Sequence, residues 1–134
     1  MIVVDASVLS NVLGDDGADG VVARAWIEDA GELMAPDLVD VETVSVLRKR
    51  WLSGDLTEAR FGAAINDLES VPLVRYPMLP LMRRAFELRA NITAYDATYV
   101  ALAEGLGCPL ATSDLRLAKA PGPECEIQVV RSAS

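Results

Sequence analysis

The chain has 134 residues, is 51% hydrophobic, and carries 12 basic against 20 acidic side chains with no histidine, which suits one domain that buries about 68% of its unfolded surface. The missing histidine excludes histidine-based general-base chemistry, histidine-ligated zinc and Ser-His-Asp triads. The net charge of −8 argues against simple electrostatic adhesion to nucleic acid or to an anionic membrane, but clustered carboxylates are what a hard divalent cation requires.

Residues 2–5, IVVD, read as a first strand, and a helical segment over about 6–13 leads into the loop GDDGADG. A second helix covers about 19–30, with Val22, Ala25, Trp26 and Asp29 at helical spacing. LMAP at 33–36 is a short strand. Pro36 then starts a long helix, about 37–52, that stops at Ser53-Gly54. Thr57 is a good N-cap for the next helix, which carries Phe61, Ala64, Ile65 and Leu68 on one face. VPLVRY at 71–76 is the third strand. Helices at about 79–90 and 94–106 precede PLATSD at 109–114, the fourth strand. A short helix begins near Asp114, and EIQVV at 126–130 is the last strand.

The apolar runs are too short to span a bilayer, and MIVV meets Asp5 too soon for a secretory signal. Cys108 and Cys125 have no metal-ligand spacing and read as reduced thiols, so a cytoplasmic location without membrane attachment is expected. There is no Gly-rich phosphate loop. With no repeat, low-complexity tract or long linker, residues 1–134 are expected to form a single domain. Short apolar strands alternating with helices imply a three-layer α/β fold with a central, mostly parallel five-stranded sheet flanked by helices. Residues just past the carboxyl ends of such strands share a crevice, which would place Asp5 and Asp114 on one rim.

Taken singly, each acid has an ordinary explanation. Asp5 and Asp114 are good helix caps, and Asp96 lies three residues after Thr93 in a near capping box. Glu42 lies four residues after Leu38 and three before Ser45, at the edge of a helix face read as carrying Leu38, Val41, Ser45 and Leu52. A charge there is costly unless paired or metal-bound. Asp96 sits in TAYDATYVALAEGLG, which is hydrophobic nearly all round. Together, two strand-end acids and two acids in apolar helices near that rim point to a cation. Two carboxylates about 4 Å apart repel by up to ~4 kcal/mol at an effective dielectric of 20. All-oxygen ligation favours Mg²⁺ or Mn²⁺ over Zn²⁺ or copper.

Other motifs are weaker. DDGADG partly imitates a calcium loop, but Trp26 stands where the closing glutamate should be, so an ordinary turn is the better reading. Arg48-Lys49-Arg50 suits a helix C-terminus, with phosphate contact as the minor alternative. Arg83-Arg84 with Arg89 reads as a solvated helix face. Ser7 and Thr112, each two residues from an acid, either orient water or a carboxylate or bond local backbone.

The stretches MIVVDASVL, APDLVDVETVSVLRK and AYDATYVALAEGLGCPLATSDLRLAK, in this order and at this spacing, resemble the PIN-domain ribonucleases, specifically the VapC-type toxins of prokaryotic toxin–antitoxin pairs. The resemblance covers essentially the whole chain. It implies that Asp5, Glu42, Asp96 and Asp114 form an acidic quartet, with Ser7 and Thr112 on the small hydroxyl positions beside its first and last members. Many relatives carry a further acid where Arg116 stands here. The resemblance further implies Mg²⁺- or Mn²⁺-dependent endonucleolytic cleavage of RNA, leaving 5′-phosphate and 3′-hydroxyl ends. Asp5, Asp96 and Asp114 would bind the metal, and Glu42 would complete the shell or orient the attacking water. It also implies a homodimer and a VapB-type antitoxin that inserts a basic segment toward the site, in a heterotetramer or larger assembly.

Four rivals stand against this. A ribonuclease-H-like enzyme would begin with consecutive antiparallel strands, where helical stretches intervene here. A haloacid-dehalogenase-type phosphatase would have aspartate at position 7, and a receiver domain would have lysine where Arg131 stands. A non-enzymatic interaction module of PIN fold would be expected to have lost an acid of the quartet, and none is lost.

Overall fold

Ile2–Val4 is buried throughout and forms β1. In the computed structural model, which describes residues 1–133, four further strands follow: β2 (Leu33–Pro36), β3 (Leu73–Tyr76), β4 (Leu110–Thr112) and β5 (Ile127–Val129). They make one sheet in the order β3-β2-β1-β4-β5, with every pair parallel. β1, β2 and β4 are covered on both faces, which is why they are apolar at nearly every position instead of alternating. Register is fixed at the centre, where Val3 lies opposite Met34 on one side and Leu110 on the other.

Side chains of β1 alternate between two cores, as the two-residue period of a strand dictates. Val3 enters the larger, with Leu9, Met34, Val39, Leu47, Val100 and Leu110. Ile2 and Val4 enter the smaller, with Val8, Ala23, Leu33 and Ala111. The helices are α1 (Ala6–Gly14), α2 (Ala18–Glu28), α3 (Leu38–Leu52), α4 (Glu58–Ser70), α5 (Met82–Glu87), α6 (Ala94–Leu106) and α7 (Leu115–Lys119). Apolar cover on both faces of the sheet gives the three layers expected. Among the described residues, no helix is long and apolar enough to cross a membrane.

Local chemistry sets the helix ends. The Thr57 hydroxyl accepts from Arg60 N at 3.1 Å, and the Thr93 hydroxyl accepts from Asp96 N at 3.1 Å. α6 ends at Gly107, whose φ of 67° is left-handed backbone that favours glycine. Gly14 lets α1 meet α3 closely, because a Cβ there would collide with the Leu47 side chain. In the turn before α2, Asp15 Oδ1 accepts from Gly17 N and Gly20 N at 2.7 and 3.2 Å, so the DDGADG stretch is an ordinary capped turn.

Several sequence expectations need correction. The buried face of α3 is Val39, Thr43 and Leu47, whereas Val41 and Leu52 are 63% and 59% exposed. In α2, the fully buried side chain is Ala23, and Ala25 is exposed. The helix expected over 79–90 is a 3-10 turn, Leu79–Leu81, followed by α5. Pro80 sits in the first turn of that 3-10 segment, and the chain after Glu87 closes into backbone turns, with Asn91 N and Ile92 N both donating to Leu88 O. Arg84 is no solvated residue: it donates to both oxygens of Glu104 at 2.7 and 3.1 Å and to Gly122 O at 3.1 Å.

Candidate active site

Chain order and strand order part company at β1. The chain runs from β1 outward through β2 and β3, then returns to place β4 on the other side of β1. Such a switch opens a crevice at the carboxyl ends of the two neighbouring strands. Asp5 follows β1 directly, and its backbone N donates to Ala111 O of β4 at 3.1 Å. Asp114 follows the end of β4 by two residues. Both occupy that crevice because the sheet register puts them there.

Asp5 is buried, and both oxygens of its carboxylate accept hydrogen bonds. Oδ1 accepts from Val8 N at 3.1 Å, capping α1, and from the Ser7 hydroxyl at 2.5 Å. Oδ2 accepts from the Thr112 hydroxyl at 2.5 Å. The same two hydroxyls accept from the next loop: Ser113 N donates to Ser7 Oγ at 2.9 Å and Asp114 N to Thr112 Oγ1 at 3.1 Å. Ser7 and Thr112 therefore tie the β1 and β4 ends into one unit and fix where Asp5 points. Each hydroxyl bonds a carboxylate; the backbone N–H that each accepts from is local for Thr112, at Asp114, but lies across the crevice for Ser7, at Ser113.

Replacing Thr112 by valine keeps the shape but leaves Asp5 Oδ2 and Asp114 N without this partner. We expect a loss of about 1–3 kcal/mol, because the stranded groups are buried or half-buried. Urea unfolding at pH 7.5 measures it, and an unchanged midpoint would contradict this role for the hydroxyl.

The other acids arrive from separate helices. Asp114 caps α7 by accepting from Arg116 N at 2.8 Å. Asp96 stands in the first turn of α6, within its capped N-terminus. Glu42 comes from α3 and accepts from the Tyr99 hydroxyl at 2.6 Å. Asp5, Glu42, Asp96 and Asp114 line one pocket of about 230 Å³, shared with Ser7, Lys49 and Tyr99. The structure thus gathers all four acids, with Thr112 behind Asp5.

Burial and mutual repulsion both bear on these acids. Burial pushes Asp5 up to about 6, against the lowering effect of its three hydrogen bonds, and the charge of Asp96 adds to the rise. Burial and Asp96 also raise Glu42, partly offset by Tyr99. Asp96 itself is raised by burial and then by Asp114. Asp96 is the common source of repulsion for Asp5 and Glu42, and the exposed Arg116, 3.7 Å from Asp114, offsets the rise at Asp96 only in part. Among the described residues, no three carboxylates or thiols are gathered tightly enough to hold a metal ion as they stand. The donors are nevertheless all oxygen, anionic and strained by like charge, which fits a hard divalent cation in chemistry.

Sequence reasoning missed Tyr99 and took Lys49 mainly as a helix-end charge, with phosphate contact as the minor alternative. Tyr99 reads as core inside ATYVAL, yet it stands three residues after Asp96 on the same helix. Lys49 reads as a C-terminal charge, yet Glu42, Ser45, Val46 and Lys49 all line the pocket, and their spacing of three, four and seven residues is one face of a helix. That stripe was the available signal. It shares only Ser45 with the face read as Leu38, Val41, Ser45 and Leu52, at whose edge Glu42 was placed. Arg50 of the same basic run is structural, donating to Ser10 O at 3.3 Å and Asn11 Oδ1 at 2.6 Å.

Comparison with known proteins gives a consistent picture. The family model described as PIN domain matches residues 2–123. Ribonuclease VapC1 of Mycobacterium tuberculosis is 42% identical over 130 residues, covering 96% of this chain and 97% of that protein. Among solved structures, Mycobacterium tuberculosis VapC20, described as a toxin cleaving the sarcin-ricin loop, superposes with a TM-score of 0.72 at 19% identity, covering 89% of this chain and 94% of that one. VapBC2 from Rickettsia felis, solved bound to a DNA fragment from its promoter, gives a TM-score of 0.67 at 12% identity, covering 96% and 98%. At these identities the two structures speak for the fold.

Proposed function

The chain belongs to the PIN domain family as a ribonuclease of the VapC type, and on that premise we propose that its acidic pocket hydrolyses RNA phosphodiester bonds with Mg²⁺ or Mn²⁺. The observation that carries this is the convergence of Asp5, Glu42, Asp96 and Asp114, from four separate segments, on one pocket at the sheet's switch point. Asp5, Asp96 and Asp114 would hold the ion. Once bound, Mg²⁺ or Mn²⁺ supplies a Lewis acid that lowers the pKa of water and offsets charge on the phosphate.

The protein's own groups do the positioning. Ser7 and Thr112 hold Asp5 in one orientation by donating to both of its oxygens. Tyr99 donates to Glu42 Oε1, which leaves Oε2 to accept from the attacking water and aim it at phosphorus. Lys49, at the pocket's edge and without a carboxylate partner within 4 Å among the described residues, is placed to meet a phosphate oxygen. Attack by water breaks the P–O3′ bond and leaves 5′-phosphate and 3′-hydroxyl ends. No histidine is needed.

The experiment is cleavage of transfer and ribosomal RNA by the purified chain, with end-group analysis of the products. We expect cleavage with Mg²⁺ or Mn²⁺, none after chelation, and 5′-phosphate ends. Cleavage that persists in chelator would overturn the reading. VapC-type membership and the acidic pocket also support a cytoplasmic toxin that forms a homodimer and is restrained by a VapB-type antitoxin with a basic segment. Co-expression with the product of the neighbouring reading frame should yield a complex with no cleavage activity.

A further inference from the structure

A second cavity, about 490 Å³, adjoins the acidic pocket and shares Asp96 and Asp114 with it as a common wall. Its remaining lining includes Arg89, Asn91, Ile92, Arg116 and Leu117. We propose that this cavity is the subsite for one unpaired nucleotide of the substrate RNA next to the scissile phosphate, with Arg89 and Arg116 receiving its phosphate and Asn91 reading its base. The proposal rests on the ribonuclease reading above.

Charge is the first argument. In a chain of net charge −8, five of the ten arginines are committed elsewhere. Arg60 pairs with Asp16, Arg75 with Asp40 and Arg84 with Glu104, while Arg24 and Arg50 donate to main-chain carbonyls of α1 and the turn after it. Arg89 has no carboxylate within 4 Å among the described residues; it lies 4.1 Å over the Phe86 ring and donates to Phe86 O. The Arg116 side chain is 95% exposed and, among the described residues, pairs only with Asp114, at 3.7 Å, a pair that contributes little in water. Two guanidiniums with donors to spare therefore flank a cavity that opens onto the acids. Arginine is suited to phosphate, because its planar fork donates two parallel hydrogen bonds.

Shape is the second. Leu117 is buried and Ile92 half-buried, giving an apolar floor against which a base can lie. The Asn91 amide is exposed and makes no side-chain hydrogen bond among the described residues, so it offers both a donor and an acceptor to a base edge. The volume lies within the roughly 300–1,000 Å³ of ordinary ligand sites, whereas the acidic pocket is less than half as large. A base held in a duplex cannot enter such a cavity without leaving its stack, so the occupant is an unpaired nucleotide. A basic antitoxin segment is disfavoured there, because Arg89 and Arg116 would repel it.

The test compares wild type with Arg89→Gln/Arg116→Gln, Asn91→Ala and, as a control for charge loss outside the cavity lining, Arg83→Gln, whose effect per charge removed is the baseline. Glutamine is used because a glutamate beside Asp114 would add a carboxylate to the acidic pocket. Steady-state cleavage is measured at saturating Mn²⁺ on a short RNA spanning a site that wild type cuts, with melting temperatures confirming the fold. The double variant should raise KM about tenfold or more while kcat stays within about twofold, and should flatten the salt dependence of kcat/KM. Asn91→Ala should alter the base preference beside the cut. If the double variant matches Arg83→Gln in KM and salt dependence, the subsite is wrong and the ribonuclease reading stands. If wild type cleaves no RNA at all, that reading fails and the subsite fails with it.

Discussion

Asp5→Asn is expected to abolish RNA cleavage and, in metal-free buffer at pH 7.5, to raise the melting temperature. Burial holds the Asp5 carboxyl near 6 in the folded chain, against about 3.9 when unfolded. Keeping it ionised at pH 7.5 therefore costs the folded state about 3 kcal/mol. Asparagine removes that charge at almost the same volume. Its amide nitrogen cannot accept from Ser7 or Thr112 as a carboxylate oxygen does, and re-orienting a hydroxyl returns part of the gain. A net of about 1–2 kcal/mol remains, or roughly 3–8 °C in a domain of this size. Cleavage should fall by more than the roughly 10–100-fold that loss of a supporting hydrogen-bond partner costs a metal site. Differential scanning calorimetry and a cleavage assay on the same sample check both effects. A variant that is less stable yet still active would show that Asp5 is only a helix cap.

Divalent cation should stabilise the wild-type chain, and the size of the effect should depend on pH. Asp5, Glu42 and Asp96 all have raised folded-state values. Groups raised in this way give stability that is complete below their unfolded values and lost as pH rises through the folded ones. Metal-free protein should therefore melt higher at pH 5.5 than at 7.5. Glu104 has the opposite sign: burial raises it, but the Arg84 hydrogen bonds and a bond from Glu124 N prevail and lower it. Its contribution is lost as pH falls below the ordinary glutamate range, so stability should decline again toward pH 4. Added Mn²⁺ replaces the protons as the neutralising charge. At a hundred times its Kd it should contribute about 2.7 kcal/mol at pH 7.5, and less at 5.5, where protons compete for the same oxygens. Melting temperatures at both pH values, with and without saturating Mn²⁺, decide this. No shift at pH 7.5 would count against a cation in the acidic pocket.

The strand-end acids were legible in the sequence because their place follows from pattern alone. IVV and LAT are short apolar runs, each followed within two residues by an aspartate, and a parallel sheet sends the ends of neighbouring strands to one rim. The capping roles were legible for the same reason, and Asp5 and Asp114 do cap α1 and α7. Capping and membership of the acidic pocket are compatible, since a carboxylate oxygen accepts more than one bond. α3 was harder. Its apolar residues are spread round the helix, with Val41, Val44 and Leu52 left exposed, so spacing alone did not single out the buried face. Tyr99 and Lys49 were hidden by their neighbours, the first in an apolar run and the second in a basic one. Arg89 and Arg116 meet at one cavity from segments separated by the whole of α6 and β4, a juxtaposition that only the folded chain displays.

The central claim is that the four acids serve a divalent cation, and crystals soaked in Mn²⁺ test it most directly through anomalous scattering at the manganese edge. The account predicts a peak bounded by carboxylate oxygens of Asp5, Asp96 and Asp114, with Glu42 at its side, and no such peak in Asp96→Asn. A pocket that stays empty at saturating Mn²⁺, or manganese bound elsewhere with cleavage intact, would contradict it.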